Sequence, residues 1–457
     1  VDVFNHAREA WRFHQISNVR ESMRIETSGK TAGNRFFPAC TGAIVALCFA
    51  AAVGWSQEVP PYRGLTFEHA ILQSLQKHPE LADYVYQLEA ADARVAYAGV
   101  GPRPQLWLEI EDVAGSGDFS DVESAQSTLG ISWLLQGDVI EQRVAAAHSK
   151  ISVIEAQRQI LQLEVAADTA RYFLQAMAQQ ERKLLAQQAM EQARQALADI
   201  RRQVVAGKVP QADASRAEAE LARRTLAVED IQHELEVAKH QLSAQWGDRT
   251  PVFTTIVGSL SAPVPSIDIE QLRAQVAGNP NLSVFLSRER VAEAEIAVAR
   301  AEAGIQWKID AGIRRLEATD DYSLVAGVSI PIGRRSRNRD QIDALTAERN
   351  RYRSQMEAKT IELETRVYVM AQQLLHAQHV AEALLLKIIP SMERALSDTR
   401  VAYRQGKYSY YALAAAQQDL IDARLSYLEA QYRAHLNLIE IEKLTGLSLS
   451  AISETAK

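Results

Sequence analysis

Cysteine is nearly absent from this chain, with Cys40 and Cys48 the only two in 457 residues. Both fall in an apolar stretch near the N-terminus, so the rest has no thiol for a disulfide or a cysteine–metal site. Glycine and proline are also scarce, at 21 and 13 residues. That scarcity argues against a turn-rich architecture and leaves room for helices far longer than the ordinary ~11–12 residues. The apolar stretch 39–53 falls short of the roughly 20 residues that a membrane-spanning helix needs. Basic residues do not gather either: 50 Lys and Arg against 57 Asp and Glu leave a net charge of −7 with no extended basic face, which excludes nucleic acid as a partner. Ser-His-Asp spacing, paired carboxylates on a defined loop and a Walker-type phosphate loop are all missing. The chain therefore reads as no enzyme, with no cofactor and nothing to couple nucleotide or proton energy.

The first methionine is Met23, and Arg24, Lys30 and Arg35 precede the apolar stretch. This is the layout of an export signal, with small residues leading to an expected cleavage near Ser56 and a mature chain starting around Gln57. Residues 1–22 are read as an over-extended start or added sequence, and 1–56 are set aside. Leu47 before Cys48, and the early position of Cys40, disfavour a lipid anchor.

The rest repeats itself at a period of about 200 residues. His78-Pro79-Glu80-Leu81 matches Asn279-Pro280-Asn281-Leu282, Trp107 matches Trp307, Gly207-Lys208 matches Gly406-Lys407, and Trp246-Gly247 matches Thr445-Gly446. Two units result, 57–260 and 261–457. Each has a short helix, two strands, a very long helix, a glycine break and a second long helix. Strands are expected over 105–113 and 127–135, and over 306–316 and 322–331, from alternation with period two. Leu106, Leu108 and Ile110 alternate with Trp107, Glu109 and Glu111; Leu129, Ile131, Trp133 and Leu135 share a face, as do Trp307, Ile309, Ala311 and Ile313, and Leu324, Ala326, Val328 and Ile330. Strands of about 9–10 residues cross a bilayer when tilted. Four cannot close a barrel, so their unpaired edges call for neighbouring chains. Two soluble hairpins would show the same alternation, which export disfavours.

Long helices are expected over 137–206 and 208–246, and over 334–405 and 407–445. Leu363, Val367, Met370, Leu374, Ala377, Ala381, Leu384 and Ile388 keep the 4-3 spacing of a coiled-coil seam, as do Ala166, Ala170, Phe173 and Met177. Pro390 should kink the second rod.

Leu65-Thr66-Phe67-Glu68-His69-Ala70 leading to His78-Pro79, with the breaks Ala206-Gly207-Lys208-Val209 and Tyr403-Arg404-Gln405-Gly406-Lys407-Tyr408, resembles the TolC family of outer-membrane factors from about Leu65 to Leu447. The stretch from Leu108 to Asp112 through Gly115-Ser116-Gly117, then Glu123 to Leu129, is similar to its cobalt-zinc-cadmium (CzcC-type) heavy-metal branch. The resemblance implies a mainly α fold with transmembrane β: a homotrimer sharing a twelve-stranded barrel in outer-membrane lipid above a helical tunnel in the periplasm. It implies a periplasmic adaptor and an inner-membrane resistance-nodulation-division pump as partners. It makes the breaks adaptor-docking hairpin tips, with Gly207, Lys208 and Val209 in one and Gly406, Lys407 and Tyr408 in the other. It also makes Asp213 and Tyr403 a candidate periplasmic gate, joined by a hydrogen bond. Ala412 and Ala415 stand where the family often carries aspartates, so an acidic cation-binding ring is not expected there.

Three other features have plain readings. His376 and His379 have the spacing of two metal ligands, but no third ligand is evident and a wet helix face accounts for them. Gly333-Arg334-Arg335-Ser336-Arg337-Asn338-Arg339 suits a junction near anionic headgroups better than a nucleic-acid patch. Trp107, Trp133, Trp307 and Tyr322 read as membrane-interface anchors. The functional expectation is a passive efflux duct for heavy-metal cations. A drug, solvent or type I secretion duct of the same shape, and a poreless periplasmic coiled-coil scaffold, are the alternatives.

Overall fold

A computed structural model describes residues 62–113, 115–119, 122–330 and 335–446. The expected export signal, the end of the resemblance at Leu447 and part of the basic run, Gly333-Arg334, lie outside the described residues. In chain order the elements are β1 (Tyr62–Leu65), α1 (Phe67–Lys77), α2 (Pro79–Ala98), β2 (Gln105–Glu111), β3 (Gln126–Leu135), α3 (Gly137–Val205) and α4 (Gln211–Ala244). Next come β4 (Phe253–Ile256), α5 (Ile269–Gln275), α6 (Pro280–Ala303), β5 (Trp307–Leu316), β6 (Asp321–Ser329), α7 (Arg335–Ala383), a π-helical turn (Leu384–Ile388), α8 (Ile389–Arg404) and α9 (Tyr410–Thr445).

Local chemistry sets the helix starts. Thr66 caps α1 by accepting the His69 N–H at 3.3 Å. Helices α2 and α6 both open on proline, Pro79 and Pro280, whose fixed φ suits the first helical position and whose missing N–H costs nothing there. The preceding side chains, His78 and Asn279, accept the N–H groups of Glu80 and Asn281. Helix α3 runs 69 residues, about 100 Å at 1.5 Å per residue.

The main core sits part-way along the rods. Phe173 and Met177 of α3, Leu242 of α4 and Leu428 and Ile439 of α9 pack there against Leu65, Ala70 and Ile71 and against Phe253, Ile256 and Leu260. Strands β1 and β4 pair in parallel beside it. Gln180 of α3 completes the attachment: its side chain both donates to and accepts from the Ile256 backbone, at 2.9 and 3.0 Å. Glu181 accepts the Leu260 N–H, and His435 Nε2 donates to the Leu260 carbonyl. A second cluster joins α5, α6, α7 and α9 through Leu272, Leu282, Leu363, Val367, Leu374 and Ile441. Between rods, Arg182 of α3 pairs with Glu429 of α9 at 2.7 Å, and Arg143 with Glu302 of α6 at 2.7 Å.

The rod expected over 334–405 is interrupted. The break falls in the turn before Pro390, which has no N–H to give and would press its ring on the carbonyl four residues back. The π-helical turn relieves both by adding a residue to that turn. The extra residue rotates the helix beyond it, which accounts for the end of the seam: Leu363, Val367, Leu374, Ala377 and Leu384 are buried, whereas Ile388 is exposed and Leu396 takes up the packing.

Candidate functional site

Strands β2, β3, β5 and β6 form one antiparallel sheet in that order, with β2 and β6 at its edges. The register lines up Leu108, Leu129, Ile313 and Leu324 across it, then Leu106, Ile131, Ala311 and Ala326, then Trp133, Ile309 and Val328. Alternation puts all of these on one face, and most are exposed, Leu324 to 88%. A bare apolar face spanning four strands is far beyond the scattered apolar residues of an ordinary surface. The opposite face is polar, with Glu109, Thr128, Arg314 and Ser323 in one row. There Arg314 donates to Thr128 Oγ1 at 2.9 Å, to Gln126 Oε1 at 3.0 Å and to Glu111 Oε2 at 2.8 Å, tying three strands together.

The aromatic residues divide. Trp133 and Trp307 lie on the apolar face near the rods, and Tyr322 on the same face at the far end. Trp107 does not join them. It alternates with Leu106 and Leu108, so it shares the polar face with Glu109 and lies over Gly130, where an added Cβ would come within 2.5 Å of the indole. Its Nε1 is buried without a hydrogen-bond partner.

At the other end of the rods the two glycine breaks have one geometry. Gly207 and Gly406 have φ of +68° and +72°, where L side chains are strained. Gly207 N–H donates to Val204 O and Lys208 N–H to Gln203 O, both at 2.9 Å; Gly406 to Tyr403 O and Lys407 to Ala402 O repeat this at 2.9 Å. These are Schellman closures, which satisfy the last carbonyls of a helix with backbone alone. A Cβ at either glycine would meet nothing within 4 Å, so within this chain left-handed conformation, not close approach, calls for glycine. Helix α4 then starts after Pro210 with no side-chain cap, whereas Ser409 caps α9 by accepting the Ala412 N–H at 3.4 Å.

The two tips pack side by side. Leu197, Ile200, Ala214 and Ala217 of the first hairpin enclose Tyr410 of the second, with Val209 and Tyr403 at the margin. Asp213 and Tyr403 are brought into one neighbourhood, but the expected hydrogen bond between them is not made. Asp213 faces Arg216 at 3.8 Å, and the Tyr403 hydroxyl is buried with no partner. Burial, then the negative charges of Asp213 and Asp199, push the Tyr403 phenol above its usual range. His376 and His379 are both exposed on α7, and no group of three or more potential metal ligands occurs among the described residues. No helix among them is long and apolar enough to cross a membrane.

A family model described as outer membrane efflux protein matches the chain twice, over residues 70–248 and 272–447. The chain belongs to the outer membrane efflux protein family. This is a family of channels and not of enzymes. Two relatives come from Cupriavidus metallidurans. The cobalt-zinc-cadmium resistance protein CzcC is 23% identical over 382 residues, covering 84% of this chain and 90% of that protein. The nickel and cobalt resistance protein CnrC is 25% identical over 297 residues, covering 64% and 68%. Among solved structures, the outer-membrane channel OprN superimposes with a TM-score of 0.68 at 17% identity, covering 91% of this chain and 98% of that one. The fold of this chain is therefore that of the family's channels.

Sequence reasoning passed over Arg314, whose partners lie on two other strands about 190 residues away along the chain. It also assigned no role to Arg400 and Arg404 at the second tip. Their helical spacing of four beside Gly406 was the available signal.

Proposed function

We propose that this efflux-family chain is one of three protomers of an outer-membrane duct in a tripartite system with a periplasmic adaptor and a resistance-nodulation-division pump. One observation carries the reading: an amphipathic sheet with two free edges stands on rods about 100 Å long. In lipid each free edge has to find a partner, and three such sheets joined edge to edge give a closed barrel of twelve strands. The apolar face then meets lipid and the row containing Arg314 lines water. The double match to the family model supports two internal repeats, 57–260 and 261–457. On this reading Gly207 and Gly406, with Lys208, Val209, Lys407 and Tyr408, meet the adaptor, and Asp213 and Tyr403 stand at the periplasmic gate.

The cargo proposed is heavy-metal cations, on the strength of the two metal-resistance relatives. Transport through the duct is passive. Negative-stain microscopy of detergent-extracted protein from the outer-membrane fraction tests the duct. A threefold particle with a long tapered body is expected, and a soluble or non-threefold one refutes it in favour of a scaffold. Growth of a deletion strain on zinc, cobalt and cadmium tests the cargo. Loss of tolerance to dyes and antibiotics instead would point to a drug or solvent duct.

A further inference from the structure

The two tips differ in charge from the chain that carries them. Around the first, Arg202 pairs with Asp199, Arg201 with Glu218 and Arg216 with Asp213, which leaves Lys208. Around the second, Arg400, Arg404 and Lys407 have no ion pair among the described residues, and Asp398 is the one acid between 398 and 417. All four unpaired cations are exposed. The two tips share the cluster around Tyr410, so these cations lie at one end of the molecule. The rest of a chain of net charge −7 does little to offset them, because charge is screened over about 8–10 Å at ordinary salt. Among them sit exposed apolar side chains: Val205 at 89%, Val401, Tyr408 and Tyr411. Tyrosine and arginine around an apolar centre is the composition that dominates binding energy at protein interfaces.

We infer that the tips receive a protein partner whose contacting end carries carboxylates around an apolar contact. The inference rests on the docking reading above and specifies the partner's chemistry. The Schellman bonds already occupy the Gly207, Lys208, Gly406 and Lys407 N–H groups, so the exposed cationic and apolar side chains set what the tips prefer to bind. Carboxylates there would also neutralise a mouth that otherwise repels a cationic cargo.

The test uses two synthetic helical hairpins, fluorescein-labelled and identical except for three residues at the turn, Glu in one and Lys in the other. Each is titrated with the detergent-purified full-length protein at 50 and 300 mM NaCl, followed by anisotropy. The Glu hairpin is expected to bind at least tenfold tighter than the Lys hairpin at low salt, and to lose most of that advantage at high salt. The variant R400Q/R404Q/K407Q should bind it about tenfold more weakly, since each exposed pair contributes a factor of roughly 1.5–5. These residues are exposed, so the variant should keep its melting temperature; R400K/R404K should keep full binding. Equal affinity for both hairpins overturns the inference. So does binding to phosphatidylglycerol vesicles without binding to the Glu hairpin, which would make the tip a lipid-facing surface. A photo-crosslinking residue at Tyr408 in cells separates the two levels. A periplasmic adduct with no Glu preference keeps docking and removes its acidic chemistry, whereas no adduct removes docking itself.

Discussion

Asn279 joins two helices through one amide, and the two ends of that amide can be separated by mutation. Its Oδ1 accepts the Asn281 N–H at 2.8 Å, capping α6. Its Nδ2 donates to the Leu444 carbonyl at 2.7 Å and the Lys443 carbonyl at 3.1 Å, at the C-terminus of α9, where carbonyls have no partner within the helix. Asn279→Ala loses the cap, about 1 kcal/mol, and two hydrogen bonds, one buried and one part-buried, at about 1 kcal/mol each. The total is about 3 kcal/mol. Asn279→Asp keeps the cap, since Asp and Asn cap equally well, but turns an oxygen toward two carbonyl oxygens. It is expected to be at least as destabilising as Ala, and to recover partly in acid as the carboxyl regains a proton to donate. With roughly 2.1 cal/mol/K per residue over about 400 residues, a loss of about 3 kcal/mol lowers the thermal midpoint by about 4 °C. Circular dichroism at 222 nm on detergent-purified protein measures it. Melting of the Asn279→Asp variant within a degree of wild type would refute the assigned role of Nδ2.

On the sheet, Leu129→Arg or Leu324→Arg should cost about 2–4 kcal/mol of membrane insertion and deplete the protein from the outer-membrane fraction, while Ser323→Arg on the polar face should not. Equal depletion by all three would refute the facing. Tyr403→Phe removes a hydroxyl that has no partner to lose, so its stability should stay within about 1 kcal/mol of wild type; a larger loss would mean that the hydroxyl is bonded in solution. Asp213→Ala should raise single-channel conductance in planar bilayers if Asp213 helps hold the mouth shut, and unchanged conductance counts against the gate. Burial holds the His435 imidazole below its usual range, against the raising effects of the Leu260 and Ala262 carbonyls and Glu181. As pH falls through about 6.5, the unfolded chain takes up a proton that the folded one refuses, so stability present above that pH is lost as pH drops toward the folded value. His435→Gln should flatten this slope in melts across that range; an unchanged slope would place the titration elsewhere.

Strands and rods were legible because each has its own period. Leu129, Ile131, Trp133 and Leu135 announce a strand of period two, and the proline-free tract after Gly137 announces a helix. The same alternation grouped Trp107 with Glu109, and reading it by residue type as an anchor overrode that grouping. Pairing of β1 with β4 was not legible: each has four residues, and the partners lie about 190 apart along the chain. A contact that closes so long a loop leaves no local trace in the sequence, since its cost and its gain are both set by distant residues. Pro390 signalled a disturbance, but its form, an added residue that ends the seam at Leu384, depends on how the whole turn relaxes. At the tips the glycines were visible, and the missing Asp213–Tyr403 bond was not, because side-chain direction at a helix start is set by neighbours such as Arg216.

The Schellman closures at Gly207 and Gly406 use only backbone atoms and one glycine each. The fold at these turns thus places almost no demand on the side chains at 208, 407 and 408. On the docking proposal, partner preference can be rewritten there by substitution while each turn itself persists.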